Sequence, residues 1–232
     1  MIAYDLKFLV SVFNWATTAS DGHRARLLQA NPVKGLKMPR EESPKRVMLE
    51  QAEYLALLAV APEVDWRFEL ALVLAHDTGN RIGSIRRLRW ADIALGDEVI
   101  HWRKENDKIG FERSTPIMPD AMEALRRAKR AHPTVGDTWV FPAPRDPSRP
   151  CRGDLMNKWW DRAVKLAALP PKERRGWHSL RRKFATDLKE APTVDLLKLG
   201  GWKSVQTLIK CYQGADRCSM KAALEGRGGQ AS

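Results

Sequence analysis

Apolar positions recur at helical spacing through most of the chain and change period in one place. Between residues 5 and 17, Leu6, Phe8, Leu9, Val12, Phe13 and Ala16 share a helical stripe, with Asp5 placed as an N-cap. Residues 31–46 mix Pro, Gly and charge without a period and read as an extended linker. The helical pattern resumes over 48–61 through Leu49, Tyr54, Leu55, Leu57, Leu58 and Val60. It continues over 65–78, stops at Thr78-Gly79, and returns as a short basic helix over 81–89. Val99 to Trp102 then reads as a strand, Lys104 to Gly110 as a polar hairpin tip, and Arg113 to Ile117 as the returning strand. Pro119 opens a helix that runs to 131. Trp139 to Phe141 is a brief extended piece, and Pro142 to Pro150 is loop. After 154 the pattern is helical, broken near 169–176, 191–193 and 200–204, and Gly226 to Ser232 reads as a disordered tail. The expected fold is α+β, mainly α, with one small antiparallel β-hairpin or sheet.

Composition narrows the class. Of 232 residues, 44% are hydrophobic, enough for a packed core and too many for wholesale disorder. The mean hydropathy of −0.44 and the lack of a long apolar run exclude a transmembrane helix, and Met1 to Val10 is not a secretory signal. Cys151, Cys211 and Cys218 form no CxxC pair, so neither a disulfide framework nor a cysteine-based zinc site is supported, and the cytosol is the expected compartment.

Charge adds a direction. The net charge is +12, yet residues 44–118 carry 11 basic and 12 acidic side chains, against 23 and 12 in residues 119–232. A skew of this kind suits a polyanionic partner, nucleic acid first and a membrane surface second. A merely solvated basic surface gives the same arithmetic.

Four segments carry candidate chemistry. In Gly176 to Leu188 (GWHSLRRKFATDL), His178 and Arg181 lie three apart and share a helix face, a donor pair suited to an anion. The same spacing also fits an amphipathic helix with a basic edge. In Thr78 to Ile93 (TGNRIGSIRRLRWADI), Arg81 opens a helix, where an anion would be helped by free N–H groups and the helix dipole. Arg81 equally fits a plain ion pair with Asp77 or Asp92. Lys108 sits at the hairpin tip in KIGFERSTPI, where it either enters a groove or is a solvated edge charge. Tyr212 follows the Gly200-Gly201-Trp202 break within the basic half; Tyr4 and Tyr54 have apolar neighbours and read as packing.

Taken in order, these segments resemble the tyrosine recombinase family, or phage-type integrases, over about residues 44–215. TGNRIGSIRRLRW is similar to the family's first arginine box, and KIGFERSTPI to its K-T-G-x-x-R-x-x-P-L hairpin. HSLRRKFAT is similar to H-x-L-R-H-x-F-A-T, and LGGWKSVQTLIKCY to L-G-H-x-S-x-x-T-x-x-x-Y. There are two departures. Ser84 stands where the family often has Glu, and the Trp202–Tyr212 gap is one residue longer than the commonest spacing.

The resemblance implies a recombinase catalytic domain over 48–225, a linker over 31–47, a tail over 226–232, and in 1–30 the remnant of a helical core-binding domain that clamps DNA. It implies a site-specific recombinase or integrase that cuts and rejoins DNA through a covalent 3′-phosphotyrosine. Arg81 and Arg181 would clamp the phosphate, His178 and Trp202 would assist, Tyr212 would attack and Lys108 would protonate the leaving oxygen. Arg86, Arg87, Arg182, Lys183 and Lys203 would contact backbone phosphates. The expected partner is double-stranded DNA, with self-assembly into a tetramer on it, in a nucleoid-associated cytoplasmic protein. No metal, cofactor, nucleotide, membrane or small-molecule substrate is expected. Two other outcomes fit the same residues: a non-catalytic DNA-binding integrase remnant, or a topoisomerase-like strand transferase.

Overall fold

The computed structural model describes residues 2–20, 26–37, 47–107, 110–134, 136–171, 175–213, 220–221 and 224–225. The chain divides into two compact units, residues 1–45 and 46–232. The expected tail over 226–232 and residues 38–46 of the expected linker lie outside the described residues.

The first unit contains α1 (Ile2–Thr18). Asp5 lies within its first turn rather than at its cap. After the helix the chain folds back, and Asn31 Nδ2 donates to the Asn14 side-chain oxygen at 2.7 Å and to the Val10 carbonyl. Tyr4, Phe8 and Trp15 stay exposed on this unit.

The second unit is organised around one buried helix. It begins with α2 (Gln51–Val64) and α3 (Trp66–Thr78). The α3 helix is apolar nearly all round, with Phe68, Leu70, Ala71, Leu72, Val73, Leu74 and Ala75 buried, as expected of a helix enclosed on every side. Asp65 starts it: its carboxylate accepts from the Arg67 N–H at 3.0 Å and ion-pairs with the Arg67 guanidinium. Gly79 ends it in the left-handed region at φ +59, where a Cβ would also meet the Phe184 ring at 2.2 Å. The helices α5 (Pro119–Ala131), α6 (Gly153–Leu166) and α7 (Trp177–Asp187) pack against it.

The expected hairpin forms, within a larger sheet. Strands β2 (Val99–Trp102) and β3 (Arg113–Pro116) pair antiparallel, with Ile100 opposite Thr115 and Trp102 opposite Arg113. A third strand, β1 (Ile93–Ala94), pairs with the other edge of β2. The basic helix expected over 81–89 shrinks to α4 (Ile82–Ile85). The chain must turn after Leu88, because Arg89 bridges to Trp139 as an extended residue and Ile85 and Leu88 fill the core.

The last two helices are α8 (Thr193–Gly200) and α9 (Val205–Cys211). They enclose a small second core of Phe184, Ala185, Leu196, Trp202 and Leu208, and Tyr212 packs against it. The unit is therefore mainly helical with a small antiparallel sheet, as the periodicity predicts.

Candidate functional site

Four separated segments converge on Arg181. Its side chain enters from α7 and is 1% exposed. One terminal nitrogen, Nη1, donates to the carbonyls of Gly79 at 2.6 Å and Gly200 at 2.5 Å. These carbonyls lie at the C-terminal ends of α3 and α8, where helix dipoles favour a cation. The remaining donors, Nε and Nη2, are buried and meet no acceptor at good hydrogen-bonding geometry among the described residues, although the nearby Tyr212 phenol offsets part of the effect of burial on the guanidinium. Burial pulls the guanidinium down from its ordinary range to about 9, and the neighbouring Arg81 pushes the same way. The group remains a cation at neutral pH.

Trp202 forms the floor beneath it. The Arg181 guanidinium lies 3.9 Å over the indole and 5.0 Å from the Tyr212 ring, and the two rings meet edge to face at 5.2 Å. Trp202 is 3% exposed, and its Nε1–H has no acceptor. Two glycines make room for this arrangement. A Cβ on Gly200 would fall 1.8 Å from the Trp202 ring, and one on Gly201, at φ +67, would fall 2.4 Å from the Arg113 guanidinium. The Gly-Gly break ahead of Trp202 is thus a packing requirement as well as a helix stop.

Arg81 stands as the residue preceding α4, with extended backbone. At four residues α4 is too short to supply the dipole expected from the sequence, so the charge there is the side chain's own. Arg81 pairs with neither Asp77 nor Asp92. Its Nη1 lies 3.7 Å from Asp107 Oδ1 and has no hydrogen-bond partner. Asp92 instead takes Arg103, and Asp77 takes His76 at 2.7 Å.

His178 is exposed near the start of α7, while Arg181 one turn on is buried, so the pair shares an edge at different depths. His178 lines a cleft of about 410 Å³ with Asn80, Arg81, Arg86, Arg87 and Asp107. It also lines a second pocket of about 280 Å³ with Arg182, Thr207, Cys211 and Tyr212. His178 therefore borders both the Arg81 cleft and the Tyr212 pocket. Tyr212 is half-buried just past the end of α9. Lys108 lies outside the described residues.

The five side chains expected on DNA phosphates divide. Lys203 is exposed, and Arg87 is half-buried in the larger cleft. Arg86 reaches the same cleft while donating to the Cys151 carbonyl at 2.8 Å. Arg182 donates to the Val47 carbonyl at 2.8 Å and borders Tyr212. Lys183 is corrected: it is 8% exposed, and its amine pairs with Asp187 at 2.8 Å. It points to the packed side of α7, two residues round the helix from Arg181.

Three residues at the site were not anticipated. Arg113, 5% exposed, donates to Asp107 Oδ2 at 3.0 Å and to Asn80 Oδ1. Its position carries a signal. Strand alternation puts Arg113 and Thr115 on the buried face, and an arginine at an inward position needs partners. Asp107 and Asn80 gave no comparable signal, because their pairing is made only by the fold.

Among the described residues no three His, Cys, Asp or Glu converge as a metal-binding group, and no helix is long and apolar enough to cross a membrane. The arrangement is a cluster of buried cationic and indole donors with unfilled hydrogen-bonding capacity, beside one phenol. Such a cluster suits a bound oxyanion.

Comparison with known proteins gives the following. The model of the phage integrase family matches residues 47–217. Tyrosine recombinase XerC of Haemophilus ducreyi is 28% identical over 172 residues, covering 72% of this chain and 54% of the relative. The integrase of Escherichia phage HK022 is 33% identical over 109 residues, covering 47% of this chain and 28% of the relative. The chain thus spans about half the length, or less, of these relatives. Among solved structures, a lambda integrase tetramer bound to a Holliday junction superposes with a TM-score of 0.70 at 24% identity, covering 90% of this chain and 58% of that one. That likeness establishes the fold.

Proposed function

Because the chain belongs to the phage integrase family, the tyrosine recombinases, we propose that this site cleaves and rejoins DNA strands through a covalent tyrosyl phosphate. The observation that carries the reading is the set of buried donors on Arg81, Arg181 and Trp202 that meet no acceptor at good hydrogen-bonding geometry among the described residues, gathered where Tyr212 packs against Trp202 and Arg181.

The chemistry follows from that set. A phosphodiester entering the cleft would place its non-bridging oxygens on Arg81 Nη1 and on Nε and Nη2 of Arg181. These donors are fixed in advance, so they favour the charge that accumulates in the transition state. The Tyr212 oxygen attacks phosphorus and gives up its proton, with His178 at the border of both pockets as the acceptor. The bond to the 5′ oxygen breaks, and Lys108 is assigned to protonate it. The product is a 3′-phosphotyrosine whose bond energy lets a second 5′-hydroxyl reverse the step. The guanidinium charges fill the role that a metal plays in other phosphoryl transfers, so the reaction is assigned as metal-independent.

The remaining assignments rest on the family. The partner is double-stranded DNA. The lambda integrase tetramer on a Holliday junction supports assembly of four copies on DNA. Residues 1–30 are assigned to a helical DNA clamp and 31–47 to its linker. The site of action is the nucleoid, within the cytoplasm.

The deciding experiment uses a suicide substrate, nicked so that the leaving strand is lost after cleavage. The parent protein should form a covalent adduct that resists denaturation, and Tyr212→Phe should form none. An adduct that persists in Tyr212→Phe removes the assigned nucleophile. Salt-sensitive DNA binding with no adduct on any attachment site would favour a non-catalytic DNA-binding role.

A further inference from the structure

Asp107 is the carboxylate that joins two of the site's arginines. Its Oδ2 accepts from Arg113 Nη1 at 3.0 Å, and its Oδ1 faces Arg81 Nη1 at 3.7 Å. Arg113 Nη2 in turn donates to the side chain of Asn80, the residue before Arg81. The result is a closed circuit: Arg81, Asp107, Arg113, Asn80 and back along the chain to Arg81. The side chains of Asp107 and Arg113 are 2% and 1% exposed, so the circuit is held under the site and away from solvent.

The backbone carrying Asp107 is fixed from the α4 side. Ser84 Oγ, one helical turn after Arg81, donates to the Asn106 carbonyl at 3.0 Å, and Asn106 Nδ2 donates to the Arg87 carbonyl at 3.1 Å. A hydroxyl therefore stands at the helix position one turn from Arg81, and the acid facing Arg81 comes from the hairpin.

The distances matter. At 3.7 Å the Arg81–Asp107 contact orients the guanidinium by charge without a hydrogen bond. Arg81 Nη1 accordingly keeps an unfilled donor. A closer acid would occupy the donor that the phosphate needs. The guanidinia of Arg81, Arg113 and Arg181 influence one another, and Asp107 stands between the first two.

From this circuit we propose that Asp107 is a positioning residue that aims Arg81 at the scissile phosphate. The inference rests on the recombinase reading of the same site. Its signature is a separation of rate from affinity. Without the carboxylate the site becomes more positive, so DNA should bind as tightly or more tightly, while Arg81 loses its aim and cleavage slows.

The test is single-turnover adduct formation at saturating suicide substrate, measured beside the DNA dissociation constant, with the full chain. Asp107→Asn should slow adduct formation by about 10- to 100-fold, as a misplaced reacting geometry does, with a dissociation constant no weaker than the parent's. Asp107→Glu keeps the charge one methylene away and should fall between the two; it serves as the reporter if Asp107→Asn does not fold. Arg81→Lys combined with Asp107→Asn should lose little more than Arg81→Lys alone, since both act on one contact. Additive losses, parent-like cleavage by Asp107→Asn, or a loss that only tracks weaker DNA binding would each overturn the proposal. A parent protein that forms no adduct would instead defeat the recombinase reading itself.

Discussion

Replacing Gly200 with alanine tests whether packing beneath the site sets the chemistry above it. Gly200 closes α8, where alanine is intrinsically preferred by about 1 kcal/mol. On propensity alone the variant should gain stability. The structure predicts the reverse, because the new Cβ would lie 1.8 Å from one Trp202 ring carbon and 2.4 Å from two more. Normal carbon contacts lie near 3.5–4.0 Å, so the indole would have to retreat by roughly 2 Å. Trp202 is 3% exposed and wedged in the second core, which leaves little slack. Overpacking of this kind costs about 1–3 kcal/mol, for a net loss of up to about 2 kcal/mol. At about 2–4 °C per kcal/mol for a unit of this size, the melting temperature should fall by up to about 8 °C. The indole is also the surface on which Arg181 and Tyr212 rest, so adduct formation should drop by about 100-fold at temperatures where the variant stays folded. Gly153→Ala is the control, since a Cβ there meets nothing within 4 Å. Thermal melting and the suicide-substrate assay read both effects. A Gly200→Ala protein that melts at or above the parent refutes the packing argument. One that melts lower but cleaves at the parent rate refutes the link between packing and chemistry.

Two further outcomes are expected. At temperatures where the variant stays folded, Arg181→Ala should lower adduct formation by about 10²–10³-fold, the scale for losing a preorganised donor to a transition state, whereas Arg86→Ala should lose less than about tenfold; equal losses would abolish the division between clamping and positioning arginines. Burial pushes the Cys151 thiol above its ordinary range, despite the opposing pull of Arg67, so it should stay protonated at pH 8. Iodoacetamide at that pH should leave Cys151 unlabelled in the native protein and label it after denaturation, as mass spectrometry of the peptides would show.

Local signals in the sequence carried far, and their limits are physical. The α3 helix was readable because Asp65 and Gly79 punctuate an apolar run, and the β2–β3 hairpin because the period changes there. Strand β1 was not readable: two residues, Ile93 and Ala94, are too short to show alternation. The length of α4 was misjudged because its end is dictated by the distant Arg89–Trp139 bridge. At the site, Arg81, His178, Arg181, Trp202 and Tyr212 stood out as ordered boxes. Lys183 was grouped with the DNA-facing charges because a charge count ignores helix direction. The Asn80–Arg113–Asp107 circuit depends on contacts across the fold, and in the sequence only Arg113 hinted at it, through its inward register and its place as the arginine of the hairpin box.

Arg181 has a second duty, as the pin that holds the ends of α3 and α8 together through Gly79 and Gly200. Its loss would leave two buried carbonyls unsatisfied and unlock two helices, so selection for a folded chain preserves it whether or not the chain still cuts DNA. A copy that no longer cuts DNA but is still selected to fold, as a DNA-binding protein for instance, should therefore keep this arginine after it loses the exposed His178. The survival of Arg181 in a gene is thus a poor sign of living chemistry, and the solvent-facing His178 is the better witness.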